Sequence, residues 1–197
     1  VVGLKTLCDQ HPGKVVFTTS MGLEDQALTD LIARHELPVR VVTLDTGRLF
    51  QETYDLMDRT QSMYPRLEFE TYFPAAESLE AFVNSQGMSS IFKSVEARKT
   101  CCGIRKIDPL HRALAGAEVW VTGLRSAQSD NRAGLARLER DAMSGTLKYN
   151  PLLDWTDGDL DTYVNPHVRR QRHLTRIRPV QVAAQHPMRG VAQVRRP

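Results

Sequence analysis

The chain has 197 residues and a mass of 22.2 kDa, a length typical of one domain. With 41% hydrophobic and 25% charged residues, its composition excludes collagen-like, coiled-coil and wholly disordered proteins. No apolar run approaches the ~20 residues that a membrane-spanning helix needs, so we expect no membrane partner. Three cysteines are too few for a disulfide scaffold, and we expect a cytoplasmic protein with reduced thiols.

The net charge of +3 is unevenly distributed along the chain. Residues 164–197 contain eight arginines and no lysine, aspartate or glutamate, which leaves a net charge of −5 for residues 1–163. Because residues 164–197 also show neither a strand period nor a helix period, we expect them to form an irregular, disordered, Arg-rich tail. A mildly acidic body is not typical of a nucleic-acid binder, and we expect no nucleic-acid partner.

Apolar stretches alternate with amphipathic ones between residues 13 and 125. Short β-branched or alternating runs predict strands at Lys14–Thr18, Val39–Leu44, Leu67–Phe73 and Glu118–Thr122. Apolar residues at helical spacing predict helices at Leu23–His35, Leu49–Met63, Ser78–Gln86 and Cys102–Ala115. This alternation predicts an α/β, Rossmann-like fold, with a mostly parallel twisted sheet and helices on both faces.

The loop after the first predicted strand has the composition of an anion-binding loop. Residues 18–25 read TTSMGLED, so hydroxyls and Gly22 lead directly into a helix N-terminus. Free backbone N–H groups and the helix dipole favour an anion there. The alternative is ordinary capping chemistry, in which a hydroxyl caps the helix and Glu24 completes the first turn. The loop by itself leaves both interpretations open.

Polar loops also follow the second and fourth predicted strands. Asp45 begins an Asp-Thr-Gly segment that could hold a ribose, although a simple Asp/Gly turn explains this segment better when it is taken alone. Arg125 follows the fourth strand, where an anion would bind in an open parallel sheet. Three such loops at one edge strengthen the prediction of a ligand site.

Trp120 and Trp155 are predicted to be core residues.

Cys101 and Cys102 are adjacent, too close for the usual disulfide geometry. Their surroundings are basic, with no acid between residues 97 and 107, and the predicted helix begins at the pair. Both features favour thiolates and thus ligands of an iron–sulfur cluster. The alternative is two small buried residues beside a solvated basic stretch. The basic residues are Arg98, Lys99, Arg105 and Lys106.

Five segments together resemble a known family. In chain order they are TTSMGLEDQ, LDTGRLFQETYDLM, RKTCCGIRKIDPL, TGLRSAQSDNRA and YNPLLDW. Their order and spacing resemble the assimilatory adenylyl-sulfate reductases, which belong with the phosphoadenylyl-sulfate reductases in the PP-loop, adenine-nucleotide α-hydrolase-like group. The resemblance covers roughly residues 4–163, and we expect residues 1–163 to form the nucleotide-binding domain.

The resemblance implies a reaction in sulfate assimilation and cysteine biosynthesis. In that family, a cysteine near the C-terminus attacks the sulfur of adenylyl sulfate and releases AMP. Thioredoxin then reduces the resulting thiosulfonate and releases sulfite. A four-iron, four-sulfur cluster lies beside the sulfate group.

The resemblance also assigns roles to residues of this sequence. It implies that Ser20, Gly22, Glu24 and Asp25 form the phosphosulfate loop and that Leu44 and Thr46 contact the nucleoside. It places Arg125 at the anion and makes Lys106 a bridge between the cluster and the substrate charge. Cys101 and Cys102 are the two cluster ligands that it implies.

The sequence departs from the family after its YNPLLDW segment. The family continues into a CxxC segment and a terminal Glu-Cys-Gly-Leu motif, and neither is present in the 197 residues. The only other cysteine is Cys8. We therefore assign no catalytic residue, expect only two of four cluster ligands, and expect this chain to be inactive. Phosphoadenylyl-sulfate reductase and a catalytically incomplete adenine-nucleotide-binding module are the alternatives, and a homo-oligomer is left open.

Overall fold

The computed structural model describes residues 1–128 and 134–170, with side chains described as far as Val164. The expected tail at 164–197 therefore lies outside the described residues from residue 171 onward. The helices are α1 Val2–Gln10, α2 Leu23–Arg34, α3 Gln51–Met63, α4 Ala76–Gln86, α5 Val95–Cys102, α6 Asp108–Ala113 and α7 Asp157–Arg170. The strands are β1 Val15–Thr19, β2 Arg40–Leu44, β3 Phe69–Tyr72, β4 Val119–Val121, β5 Leu138–Arg140 and β6 Leu147–Tyr149.

The six strands form one sheet in the order β3-β2-β1-β4-β6-β5. Neighbouring strands are parallel throughout the series β3-β2-β1-β4-β6. The edge strand β5 is antiparallel to β6. Phe17 lies opposite Val41 on one side and Val121 on the other, so β1 is the centre of the parallel part. The predicted mostly parallel sheet is confirmed, including the parallel pairing of the first two strands.

Helices cover both faces of the sheet, as predicted. On one face, Phe17, Val41 and Val121 pack against Leu4 of α1 and Leu28 of α2. The other face carries Val16 and Val42, which pack against Ala113 and Leu114 at the end of α6. The central strands β1, β2 and β4 are buried for most of their length and carry apolar runs, as expected for parallel strands that are covered on both faces. None of the described helices combines the length and the hydropathy needed to cross a membrane.

Four elements lie outside the range in which the sequence predicted a sheet. α1 buries Leu4, Leu7 and Cys8, whose spacing of three and four residues is helical. β5 and β6 have three residues each, which is too short to show an alternating pattern. α7 continues to Arg170, so the predicted boundary at Tyr163 falls inside a helix.

The predicted helix Cys102–Ala115 is wrong at its start. Ser94 accepts a hydrogen bond from the Ala97 amide and begins α5 seven residues before Cys102, so both cysteines lie in the last turn of a helix. The chain then makes a π-helical turn over Gly103–Ile107 and enters α6 with Pro109 in its first turn. Proline cannot donate a backbone hydrogen bond, which favours such an irregularity just before it.

Candidate functional site

A cavity of about 700 Å³ opens at the carboxyl ends of the parallel strands. This edge is where open α/β sheets bind ligands. Its sheet side comes from β1, β2, β4 and β6 and the loops after them, and its helical side comes from α5, the π-helical turn and α6. The polar and cysteine residues that line it include Thr18, Ser20, Glu24, Asp25, Thr43, Thr46, Thr53, Arg98, Cys101, Cys102, Arg105, Lys106, Gln128 and Lys148.

The loop after β1 leaves the N-terminus of α2 without a side-chain cap. The N-cap residue is Gly22, in extended backbone, and no side chain accepts a hydrogen bond from the first turn in the way a cap would. The hydroxyl of Ser20 instead donates to Asp25 at 2.7 Å. The ordinary capping alternative is therefore wrong, and the α2 dipole points its positive end at the cavity edge.

Asp25 is buried beneath this loop and stabilises it through hydrogen bonds from Ser20. Its carboxylate accepts from the Ser20 amide at 2.6 Å, and it lies so close to Gly123 that a Cβ there would be 2.0 Å from Oδ1. Burial raises the pKa of Asp25, and the neighbouring Glu24 charge adds to this, while the Ser20 hydrogen bonds oppose it. Gly123 is thus required for close packing between the loops after β1 and β4.

Arg125 does not line the cavity. Its guanidinium donates to Glu24 at 2.8 Å, to Asp157 at 2.8 Å and to the Trp155 carbonyl at 3.1 Å, and its side chain is only 6% exposed. Burial alone would raise the pKa of Glu24, but the hydrogen bonds from Arg125 and other donors outweigh it and lower that pKa. Arg125 therefore fixes an ionised Glu24 at the cavity edge rather than facing the cavity itself.

The loop after β2 is a turn that connects to the helical side. Asp45 accepts from the Gly47 amide at 2.7 Å and from the Tyr54 hydroxyl at 3.1 Å, so the Asp/Gly turn interpretation describes it. The Thr46 carbonyl accepts a hydrogen bond from Arg105. Thr46 therefore ties the β2 loop to the π-helical turn.

Arg105 is a buried cation with unused hydrogen-bonding capacity. Its side chain lines the cavity, and the residue is 6% exposed. Its Nε is buried and has no hydrogen-bond partner among the described residues. Burying a charged donor without a partner is costly, and the positive charge of Arg105 at the cavity wall favours an anionic ligand there.

Both cysteines of the pair reach the cavity. Cys101 is buried and Cys102 is exposed, and Arg98, Arg105 and Lys106 line the cavity with them. The helix-dipole argument for thiolates does not apply, because the pair lies at the end of α5; the basic neighbours remain. The exposure of Cys102 and the burial of Arg105 contradict the alternative of two buried residues beside a solvated stretch.

The described residues do not complete a four-iron, four-sulfur cluster. They contain no group of three or more histidine, cysteine or acidic side chains arranged to hold a metal. Cys8 lies on the buried face of α1 and is 2% exposed, and burial raises the pKa of its thiol. Two thiols at the cavity are half of what such a cluster requires.

Trp120 is only in part the core residue that the sequence predicted. Its ring lines the cavity, and its Nε1 donates to the Thr18 hydroxyl at 2.8 Å. Lys148 of β6 also lines the cavity, with its ammonium 5.2 Å from the centre of the Trp120 ring. A lysine in a three-residue strand gives no sequence signal of its own. Trp155 packs against the core, as predicted.

The structure brings together most of the residues that the sequence singled out. Gly22 and Arg125 are outside the residues that line the cavity. Four basic side chains line it against two acidic ones, which favours an anionic ligand. The predicted site residues that do line it are Ser20, Glu24, Asp25, Leu44, Thr46, Cys101, Cys102 and Lys106.

The structural neighbours place this architecture among known folds. A crystal structure of phosphoadenylyl-sulfate (PAPS) reductase from Candida auris, in a phosphate complex, matches with a TM-score of 0.69 at 25% identity, over 84% of this chain and 78% of that chain. The NH3-dependent NAD synthetase from Campylobacter jejuni matches in fold alone, with a TM-score of 0.57 at 12% identity, over 88% of this chain and 72% of that chain. The fold is therefore adenine-nucleotide α-hydrolase-like.

The sequence comparisons identify the family. A model described as the phosphoadenosine phosphosulfate reductase domain matches residues 14–174, and the chain belongs to that family. An adenosine 5'-phosphosulfate reductase of Rhizobium meliloti (strain 1021) is 49% identical over 143 residues, 73% of this chain and 54% of the relative. One from Allochromatium vinosum is 44% identical over 153 residues, 78% of this chain and 59% of the relative. The chain thus spans a little over half the length of these relatives.

Proposed function

We propose that this chain is the nucleotide-binding part of an adenylyl-sulfate reductase, which converts adenylyl sulfate to sulfite and AMP in sulfate assimilation. Relatives that carry this name are 44–49% identical to it over about three quarters of the chain. The observation that carries the proposal is one cavity that joins the uncapped N-terminus of α2 to the basic cysteine segment. Both features favour an anion at the strand edge.

The cavity offers separate surroundings for the two ends of such a ligand. We assign the nucleoside to the end of β2, where Leu44 and Thr46 line the cavity. We assign the phosphosulfate group to the space between the Ser20–Asp25 loop and the side chains of Arg105 and Lys106. The positive charge of Arg105 would then lie beside the phosphosulfate group.

Glu24 and Asp25 also line the cavity, although ionised carboxylates would repel an anionic ligand. Arg125 neutralises Glu24 through a direct hydrogen bond, and burial raises the pKa of Asp25. We therefore assign both residues to shaping the loop, with Gly22 leaving its backbone accessible. Three of the four basic side chains that line the cavity come from the cysteine side, and they are Arg98, Arg105 and Lys106.

The chemistry then needs a thiolate from outside the cavity. That thiolate attacks the ligand sulfur, the sulfur–oxygen bond to the phosphate breaks, and AMP leaves with the bonding electrons while a thiosulfonate forms. A second thiolate, which we assign to thioredoxin, attacks the thiosulfonate sulfur atom of the cysteine; a disulfide forms and sulfite leaves. Arg105 and Lys106 stabilise the negative charge that AMP and sulfite carry away.

None of the three cysteines of this sequence suits the attacking role. Cys8 is buried in the core, and Cys101 and Cys102 are the residues that we assign to a four-iron, four-sulfur cluster. A metal-bound thiolate is not free to attack. We therefore propose that the 197 residues alone bind the nucleotide without turning it over. The three free thiols agree with a reducing compartment such as the cytoplasm.

The test replaces residues 164–197 with the corresponding C-terminal segment of a curated relative, which we expect to supply the missing cysteines. We expect thioredoxin-dependent sulfite release from this hybrid and none from the unaltered chain. An Arg105→Met version of the hybrid is the matched control, and it should lose activity because it lacks a charge in the cavity. An inactive hybrid that still binds the nucleotide would favour a nucleotide-binding module. Turnover of phosphoadenylyl sulfate in preference to adenylyl sulfate would favour the other reductase.

A further inference from the structure

The proposed function leaves two basic residues of the cavity without a role, Arg98 on the helical side and Lys148 on the sheet side. Lys148 is the central residue of β6 and lies opposite Trp120 of β4 in the parallel register. Both side chains line the cavity, so Lys148 brings a positive charge to its sheet side, away from α5 and the π-helical turn.

The surroundings of Lys148 hold its ammonium without hydrogen bonds. The side chain is 16% exposed, and Nζ lies 3.8 Å from an oxygen of Glu139, which is too far for a hydrogen bond. Within residues 1–128 and 134–164, no group accepts a hydrogen bond from it. Because an ammonium mostly removed from water needs acceptors, the cavity is the place from which they would come.

Trp120 holds the ammonium group of Lys148 in position. Its indole Nε1 is engaged by the Thr18 hydroxyl at 2.8 Å, which fixes the orientation of the ring. The ammonium of Lys148 lies 5.2 Å from the ring centre, within the range of a cation–π interaction. This contact stabilises the charge and leaves its N–H donors available to a ligand.

The sheet order places Lys148 at the end of the cavity opposite the nucleoside. β2 and β6 are separated by β1 and β4, a distance of roughly 14 Å at the usual strand spacing. A nucleotide whose nucleoside lies at Leu44 and Thr46 of the β2 edge would extend its anionic end across β1 and β4 toward β6.

We propose that Lys148 binds the anionic phosphosulfate end of the nucleotide from the sheet side, opposite Arg105 and Lys106 on the helical side. Trp120 is a positioning residue for this contact. The inference rests on the proposed function, because it takes an adenine nucleotide with its nucleoside at β2 as the ligand.

The experiment is titration calorimetry of the full chain with adenosine, AMP and adenylyl sulfate. Lys148→Met should weaken binding of AMP and adenylyl sulfate by roughly 10-fold or more, the usual effect of losing a charged hydrogen bond, and leave adenosine binding unchanged. Lys5→Met is the matched control, because it removes the same charge from an exposed position on α1. It should leave all three affinities unchanged.

A second variant acts on the same contact without removing the lysine. Glu139→Gln removes the carboxylate beside Lys148 on the edge strand β5, so AMP and adenylyl sulfate should bind more tightly while adenosine does not. This readout remains if Lys148→Met does not fold.

The outcomes separate this inference from the proposed function. Equal losses for adenosine and adenylyl sulfate in Lys148→Met would mean a structural role and overturn the inference. Unchanged affinities in both variants would overturn it too, while adenylyl-sulfate binding by the unaltered chain would keep the proposed function. An unaltered chain that binds none of the three ligands would overturn both.

Discussion

Arg105 and Arg125 are both 5–6% exposed, yet their surroundings are opposite. Arg125 donates to two carboxylates and a carbonyl, so its hydrogen-bonding capacity is used within the protein. Arg105 donates to the Thr46 carbonyl, and its Nε has no partner in the described part of the chain. An arginine whose donors are occupied holds structure together, whereas one with a buried free donor is suited to a ligand.

This contrast predicts opposite effects of two substitutions. Arg105→Met should weaken adenylyl-sulfate binding by roughly 10-fold while leaving the free energy of unfolding nearly unchanged, because an incompletely paired buried charge contributes little stability. Arg125→Met should lower the free energy of unfolding by about 2–3 kcal/mol, since it leaves Glu24 without its partner. Urea denaturation and calorimetry on both variants measure the two effects. Similar stability losses in both would contradict this assignment.

Gly123 gives a prediction about packing. A Cβ at this position would lie 2.0 Å from Oδ1 of Asp25, so Gly123→Ala must displace the loop after β1 or the loop after β4. We expect a loss of roughly 1–3 kcal/mol in the free energy of unfolding together with weaker nucleotide binding. Gly134→Ala is the control, because a Cβ at Gly134 meets nothing within 4 Å. A Gly123→Ala chain as stable as the control would show that the two loops are not in close contact.

The sequence alone identified many residues of the site but not their partners. The family resemblance implied site roles for Ser20, Asp25 and Lys106, in a loop and a basic segment that the sequence pattern also singled out, and all three line the cavity. Arg125 was expected at the anion, but its partner Asp157 is 32 residues away and could not be foreseen. Lys148 and Trp120 meet only because β4 and β6 are neighbours in the sheet, which no local pattern encodes.

At the scale of elements, α7 contacts α2 at two points. Asp157 at the start of α7 reaches Glu24 in the first turn of α2 through Arg125. Further along, the Tyr163 hydroxyl donates to Asp30 of α2 at 2.7 Å. The helix that begins at the cavity edge is thus held at its start and in its middle by the last described helix.

Asp30 gives this contact a dependence on pH. Burial alone would raise the pKa of Asp30, but hydrogen bonds from Tyr163, Arg34 and Tyr64 outweigh burial and lower it. The stabilisation is therefore present above the ordinary aspartate pKa of about 4 and is lost as the pH falls through the lowered value. Asp30→Asn should reduce stability at pH 7 and flatten the loss of stability below about pH 4.

Urea midpoints of both chains between pH 7 and pH 3 measure this difference. Asp58→Asn on the exposed face of α3 is the control and should follow the unaltered chain. Parallel profiles for the unaltered and Asp30→Asn chains would show that this carboxylate does not couple α7 to α2.

The elements that the sequence predicted well are those with long periodic patterns. α2 and α3 were foreseen within two residues of their observed bounds, since apolar residues recur at helical spacing over three turns. β5 and β6 are too short for such a pattern, and the N-cap at Ser94 was missed, which misplaced the cysteines at a helix start. The start of the helix was predicted from the cysteine motif, whereas the capping residue Ser94 marks where the helix begins.

At the scale of the molecule, the sheet order explains why one cavity collects residues from distant parts of the sequence. β1 is central, and the loops after β1, β2 and β4 meet at one edge beneath α5 and the π-helical turn. The family match over residues 14–174 agrees with this organisation and extends past the predicted boundary at Tyr163. Fold class was predictable because the alternation of strands and helices is a global pattern.

The cysteine count gives a prediction for the whole chain. Cys101 and Cys102 reach the cavity, whereas Cys8 is buried in the core, so the 197 residues supply two accessible thiols for a cluster that needs four ligands. Anaerobic reconstitution with iron and sulfide should give less than one cluster per chain by absorbance and iron analysis. Cys101→Ala with Cys102→Ala is the control for unspecific iron. One full cluster per chain, lost in this control, would reveal ligands from elsewhere, such as a second copy of the chain.

The central claim is that the cavity binds adenylyl sulfate. Equilibrium dialysis of the unaltered chain against radiolabelled adenylyl sulfate tests it most directly, with AMP as competitor and Arg105→Met as the cavity variant. We expect saturable binding of one ligand per chain, full displacement by AMP and a weaker affinity in the variant. Absence of saturable binding, or binding that AMP does not displace and Arg105→Met does not weaken, would contradict the claim.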